Sequence, residues 1–291
     1  MKSKILNEIK KIKNVKSVYP FLLSLYLLFK SKEVPITFIE FSAMSGYTSR
    51  FLYLRGFSEI FNCSRDFIIK NLHSFTGVRV IIENHVSRGS LPFVLDSDSA
   101  LFFIDHGEIY SILQGEITKN TFPVKGTAYI LGDFKVDRKS FYSVEKFVSF
   151  SKLLREEFLR GNYRICNRNV LSGRDAFEKF IEDLKGRSLS DGELEQILYS
   201  FKIQTGLSNS IPVFLLGLHH FVKREYQNDL GKAIRSFEDF SMYIREGVRI
   251  IGDKPFVSFT DRRRIANALS RAVSSYSRGV QKLQEIELKI S

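Results

Sequence analysis

The chain has 291 residues, of which 44% are hydrophobic and 26% are charged, so it is long enough to fold as one large domain or two smaller ones. This balance excludes an intrinsically disordered chain, because the apolar fraction is sufficient to form a core. The formal net charge of +12 favours an acidic partner, such as nucleic acid or an anionic membrane surface. The two cysteines, Cys63 and Cys166, are too few for a secreted disulfide scaffold and fit a reducing, cytoplasmic setting.

The N-terminal segment begins with a lysine-rich stretch over residues 2–16, and the apolar run VYPFLLSLYLLF follows it. This run is shorter than the ~18 residues that cross a bilayer, so we expect no transmembrane segment. No small-residue cleavage site follows the run, which argues against a signal peptide. The pattern predicts a basic amphipathic helix over 1–33 that docks its apolar end on the core. A helix that lies on a membrane surface is the alternative.

Residues 34–160 are predicted to form an α+β domain. Apolar positions at helical spacing predict helices over 38–55 and 64–74, and Ser143 is a suitable N-cap for a further helix over 143–160. Between these helices lie short segments rich in β-branched and aromatic residues and separated by turn residues, which predict a sheet. The segments are VRVIIENH, LPFVLDSD, ALFFID, EIYSILQGE and TAYILGDF.

From Asn169 onward the pattern is helical throughout. In RDAFEKFIEDLKG, for example, the apolar residues form one stripe at helical spacing. The boundary is near residues 161–173, a stretch that contains Gly and Asn. The sequence therefore predicts an α+β fold, in which a helix packs on an antiparallel sheet and an all-helical domain follows over 161–291.

Several short motifs of the N-terminal half occur in a known order. FSAMSGYTSRFLYLRG is a predicted helix that ends in glycine, and a Ser-Glu pair follows it. RGSLPFVLDSD supplies a strand with glycine and proline, and IYSILQGE through AYILGD supplies a hairpin that ends in aspartate. These motifs resemble the butirosin biosynthesis protein H-like N-terminal domain, a relative of the papain-like and C39-like cysteine peptidases. SGRDAFEKFIEDL resembles the start of the helical region that accompanies this domain. The resemblance implies a papain-like fold over 34–160.

The resemblance also implies where catalytic residues would lie. It places a cysteine nucleophile at the start of a helix, and this sequence has Ser42 there, on a helix predicted over 42–56. Tyr110 lies in the region where the family has its histidine, His106 is the histidine close by in sequence, and Asp133 is retained at the acid position. Two interpretations follow. Either Ser42, His106 and Asp133 form a serine-variant triad, or the site is extinct and Tyr110 fills the former histidine slot.

Three functions stay open. The first is a catalytically degenerate relative of cysteine acyltransferases and peptidases, which binds an acyl, peptide or amine ligand in the ancestral cleft. The second is an active serine-variant hydrolase or acyltransferase. The third is a basic protein that binds nucleic acid or another acidic partner. We expect no cofactor and no metal site, because the adjacent His219 and His220 diverge on a helix and do not converge on one ion.

Overall fold

A computed structural model of the chain describes most of the sequence. The described residues are 8–9, 11–12, 19–53, 64–83, 94–97, 100–105, 108–113, 116–120, 127–132, 138–165, 168–186, 189–252 and 257–290. The strands in chain order are β1 (Leu52–Tyr53), β2 (Val80–Glu83), β3 (Val94–Ser97), β4 (Ala100–Asp105), β5 (Glu108–Leu113), β6 (Glu116–Asn120), β7 (Thr127–Leu131), β8 (Gly161–Ile165) and β9 (Arg168–Ser172). The helices are α1 (Pro20–Ser31), α2 (Phe38–Met44), α3 (Arg65–Thr76), α4 (Val144–Leu159), α5 (Gly173–Lys185), α6 (Asp191–Thr205), α7 (Ser210–Leu218), α8 (Arg224–Ile251) and α9 (Phe259–Ile290).

The chain divides into two compact units, and each unit consists of two separate stretches of sequence. Unit 1 comprises Met1–Phe41 and Arg65–Phe141, and unit 2 comprises Ser42–Ser64 and Tyr142–Ser291. This division groups the residues differently from the predicted domains, which were the consecutive ranges 1–33, 34–160 and 161–291. The difference arises because β1 pairs with β9, so the segment that carries β1 belongs with the C-terminal residues.

A six-stranded antiparallel sheet forms the centre of unit 1. Its strand order is β2-β7-β3-β4-β5-β6. Five of these strands lie within the predicted strand segments, and β6 was missed because three of its five residues, Glu116, Lys119 and Asn120, are of types depleted in strands. The α+β class and the antiparallel sheet that the sequence predicts are therefore confirmed.

Helix α1 packs on this sheet, against β3, β4, β5 and β7. The nine consecutive residues from Phe21 to Phe29 are all buried. A helix that is buried on every side is a core helix, and Pro20–Ser31 is the apolar end that the sequence predicts to dock on the core. Aromatic edges fix the packing: the ring of Phe21 lies 5.1 Å from that of Tyr129, and the ring of Phe29 lies 5.1 Å from that of Phe41.

Unit 2 is helical from Gly173 onward, which confirms the predicted helical C-terminal region. Residues 161–165 and 168–172, which the prediction placed in the helical region, are the strands β8 and β9 instead. They pair antiparallel, and β1 pairs with β9 to give a three-stranded sheet with the order β1-β9-β8. Helices α8 and α9 run antiparallel, as the hydrogen bond from the Tyr226 hydroxyl to the Lys289 carbonyl indicates. Within the ranges given above, no helix has both the length and the apolar content needed to cross a bilayer.

Candidate functional site

Ser42 lies in the second half of α2 and is fully buried. The helix predicted over 42–56 is wrong, because α2 ends at Met44 and a turn over 45–49 follows. Gly46 adopts a positive φ of 71°, and the Ser45 hydroxyl donates to the Ser42 carbonyl at 2.7 Å, so local hydrogen bonds end the helix at this point. Ser42 therefore does not stand at a helix N-terminus, where the dipole would favour a negatively charged nucleophile.

The other predicted catalytic residues lie in or near the sheet of unit 1. Tyr110 is on β5, where it pairs with Phe103 of β4 and Lys119 of β6, and its side chain is half-buried. His106 and Asp133 lie outside the described residues. The structure therefore fixes the surroundings of Ser42 and Tyr110 separately, and the serine-variant triad stays a prediction.

The helix that packs on the sheet offers a second place to look for a nucleophile. The resemblance places the cysteine on the helix predicted over 42–56 and not on α1, which begins at Pro20. The residues at this end are Tyr19, Pro20 and Phe21, and none of them carries a thiol or an aliphatic hydroxyl. The start of α1 therefore has no side chain suited to thiolate or alkoxide chemistry.

Sequence reasoning missed a polar cluster inside unit 2. Arg50, just before β1, forms a bidentate ion pair with Glu157 of α4, with nitrogen–oxygen distances of 2.5 and 3.1 Å. Both side chains are only 2% exposed. Arg160 also donates to Glu157, at 2.8 Å, and the Arg50 guanidinium stacks over the ring of Tyr163 at 4.5 Å. Two cations therefore surround one buried carboxylate.

A small cavity lies beside this ion pair. Its volume is about 20 Å³. Both polar and apolar residues line the cavity. They are Thr48, Ser49, Arg50, Phe51, Phe158, Gly173, Phe177, Thr205, Ser208, Phe240 and Tyr276. The phenyl rings are held tightly, since Phe51 stacks on Phe177 with 3.7 Å between centroids. The cavity therefore has rigid aromatic walls and several hydroxyl groups.

Tyr276 is one of the polar residues that line this cavity. Its ring packs against Phe158, Phe237 and Phe240, with centroids 4.8 to 5.1 Å away. Its hydroxyl is buried and has no hydrogen-bond partner among the residues that the structure describes. Burial raises the pKa of Tyr276 above its ordinary value, and the nearby carboxylate of Glu157 adds to the shift. The hydroxyl therefore stays protonated and able to donate.

The adjacent histidines occupy a short 3₁₀ helix, His219–Phe221. His219 is half-buried, and its Nε2 lies 3.2 Å from the Gln227 carbonyl oxygen, so Nε2 carries a proton and donates. His220 is exposed, and the two rings meet edge to face at 5.7 Å. In the part of the chain that the structure covers, no three His, Cys, Asp or Glu side chains gather at metal-binding distance. A packed position for His219 and a surface position for His220 account for both residues.

The charged surface of unit 2 bears on the nucleic-acid alternative. Many of its cations form ion pairs with neighbouring carboxylates. Examples are Lys152–Glu156, Arg174–Glu178, Lys179–Glu182, Lys232–Asp229, Arg271–Glu246 and Lys282–Glu285. Interspersed charge of this kind is usual on solvated helices, whereas nucleic-acid-binding proteins gather cations on one face. Of the lysine-rich stretch over 2–16, the structure describes only residues 8–9 and 11–12.

Comparison with protein-family models gives no match to this chain, and comparison with curated proteins gives none either.

Proposed function

We propose that this chain is a catalytically inactive binding protein, built on the framework of the cysteine acyltransferases and peptidases that its motifs resemble. Its ligand is an acyl, peptide or amine compound bound in the cleft that once held the substrate. The observation that carries the proposal is the burial of Ser42. This serine is 0% exposed, so a substrate carbonyl has no access to its hydroxyl in the folded chain.

Two further observations support the proposal. Helix α1 packs on an antiparallel sheet, which is the arrangement expected of a papain-like domain. The helix on which the resemblance places the cysteine has Ser42 instead, in the second half of α2. These two observations support a binding role without catalysis.

A fluorophosphonate probe tests the absence of serine catalysis directly. The expected result is no labelling of the purified protein under conditions in which a known serine hydrolase reacts completely. The matched comparison is Ser42→Ala, which we expect to behave as the wild type does. Labelling of the wild type that disappears in Ser42→Ala would replace this proposal with an active serine-variant enzyme.

Binding is tested separately, by the thermal unfolding of the protein in panels of acyl, peptide and amine compounds. A ligand that binds only the folded chain raises the midpoint in a concentration-dependent way. The expected result is a rise with at least one of the three classes. A flat response across all three classes, with a rise on adding an oligonucleotide, would favour the nucleic-acid alternative instead.

A further inference from the structure

The cavity of unit 2 lies beside a buried ion pair, and its lining includes none of the predicted catalytic residues. We propose that it is a binding site for one uncharged oxygen that hydrogen-bonds with the Tyr276 hydroxyl. The oxygen comes either from a water molecule or from the hydroxyl or carbonyl end of a slender neutral ligand. This proposal goes beyond the proposed function and does not depend on it.

The size of the cavity limits the guest. A volume of about 20 Å³ exceeds the ~10–15 Å³ of probe-occupied space that one water requires. It is too small for a ring or a branched group. A guest therefore fits as a single heavy atom with its hydrogens, or as the narrow end of a longer molecule.

The lining supplies both a donor and acceptors. The Tyr276 hydroxyl is buried, protonated and without a hydrogen-bond partner among the described residues. The hydroxyl of Thr205 donates to the Phe201 carbonyl at 2.6 Å, and that of Ser49 donates to the Gly46 carbonyl at 2.7 Å. Each of these two oxygens keeps lone pairs that can accept a hydrogen bond. A hydroxyl guest can thus accept from Tyr276 and donate to one of them.

The charges around the cavity select a neutral guest. The Arg50 guanidinium is already held by the two oxygens of Glu157. The lining also includes four phenyl rings, those of Phe51, Phe158, Phe177 and Phe240. An ion that enters such a site loses its hydration without gaining a free counter-charge, whereas a neutral oxygen replaces its water hydrogen bonds.

The first test is the stability of Tyr276→Phe, measured by urea unfolding. If an oxygen occupies the site, removal of the hydroxyl breaks a buried hydrogen bond, and the unfolding equilibrium constant rises by about two- to tenfold. If nothing occupies the site, the variant loses only an unpaired buried hydroxyl, and the constant stays unchanged or falls. That second result would overturn the proposal. Tyr199→Phe is the control, because Tyr199 is 55% exposed and its loss of a hydroxyl should not change the constant.

The second test identifies the source of the oxygen and does not require the variant to fold. Crystals of the wild-type protein are examined at high resolution, before and after soaking in methanol or formamide. Density for water beside Tyr276 in both states assigns the oxygen to solvent. Density for the probe after soaking assigns the site to the polar end of a ligand. A cavity without density in either state would refute the site.

Discussion

Gly173 connects β9 to α5, and its replacement by alanine tests the packing of unit 2 most directly. Its φ is +61°, in the left-handed region that side chains disfavour. A Cβ at this position would overlap the carbonyl oxygens of Glu157 and Phe158 at the end of α4. Its own N–H donates to the Phe51 carbonyl at 2.7 Å, so the backbone here has little freedom to shift.

The expected cost of Gly173→Ala has two parts. The left-handed conformation costs an alanine about 1–2 kcal/mol. Relieving the overlap requires backbone movement in a packed core, which costs about 1–3 kcal/mol more. The free energy of unfolding should therefore fall by about 2–5 kcal/mol, which moves the urea midpoint down by about 0.7–2.5 M for a slope of about 2–3 kcal/mol/M.

Urea unfolding followed by circular dichroism measures this change. Gly231→Ala is the matched control, because Gly231 lies inside α8 and a Cβ there would meet no atom within 4 Å. Alanine is favoured over glycine in a helix interior by about 0.8–1.0 kcal/mol, so this variant should be more stable than the wild type. A Gly173→Ala protein within about 1 kcal/mol of the wild type would refute the close approach of Gly173 to α4.

Three further variants test the buried polar groups and one surface pair by the same urea titration. Glu157→Gln should lower the free energy of unfolding by about 3–5 kcal/mol, because it leaves the charge of Arg50 buried without its carboxylate; a neutral result would mean that water reaches this pair. Tyr53→Phe removes a 2.7 Å hydrogen bond to the buried Asp183 carboxylate and should cost about 1.5–3 kcal/mol; an unchanged midpoint would show that Asp183 finds another donor. Arg271→Ala breaks an exposed pair and should change the free energy by less than about 1 kcal/mol; a larger loss would point to a structural role for the cation–π contact of Arg271.

The parts of the fold that sequence reasoning predicted well are those encoded by local pattern. The apolar stripe of RDAFEKFIEDLKG corresponds to α5, where Phe177, Phe180 and Leu184 are all buried. Ser143 caps α4 as predicted, since its hydroxyl accepts from the Lys146 amide at 3.2 Å. Each of these features depends on residues within one or two helical turns, so the sequence alone contains the necessary information.

The parts that were missed depend on distant residues. Strand β1 has only two residues, Leu52 and Tyr53, and it exists because it pairs with Leu171 and Ser172 of β9. The segment around it was predicted as helix, because its apolar spacing fits a helix when no partner strand is considered. The same limit applies to the cavity. No local signal links Arg50 to Glu157, which is 107 positions away, or brings Tyr276 near either of them.

The interrupted order of the two units has a consequence for biosynthesis. The segment Ser42–Ser64 leaves the ribosome well before its partners in unit 2, because residues 65–141 of unit 1 are made in between. Glu157 is synthesised 107 positions after Arg50, and the interval between them is about 5–20 s at ~5–20 residues per second. During that interval Phe51, Leu52 and Tyr53 lack their partners in unit 2, such as β9 and Phe177, because these have not yet been synthesised. The nascent chain must therefore shield an apolar stretch while a different part of the molecule is being made, and this window is where a chaperone would act.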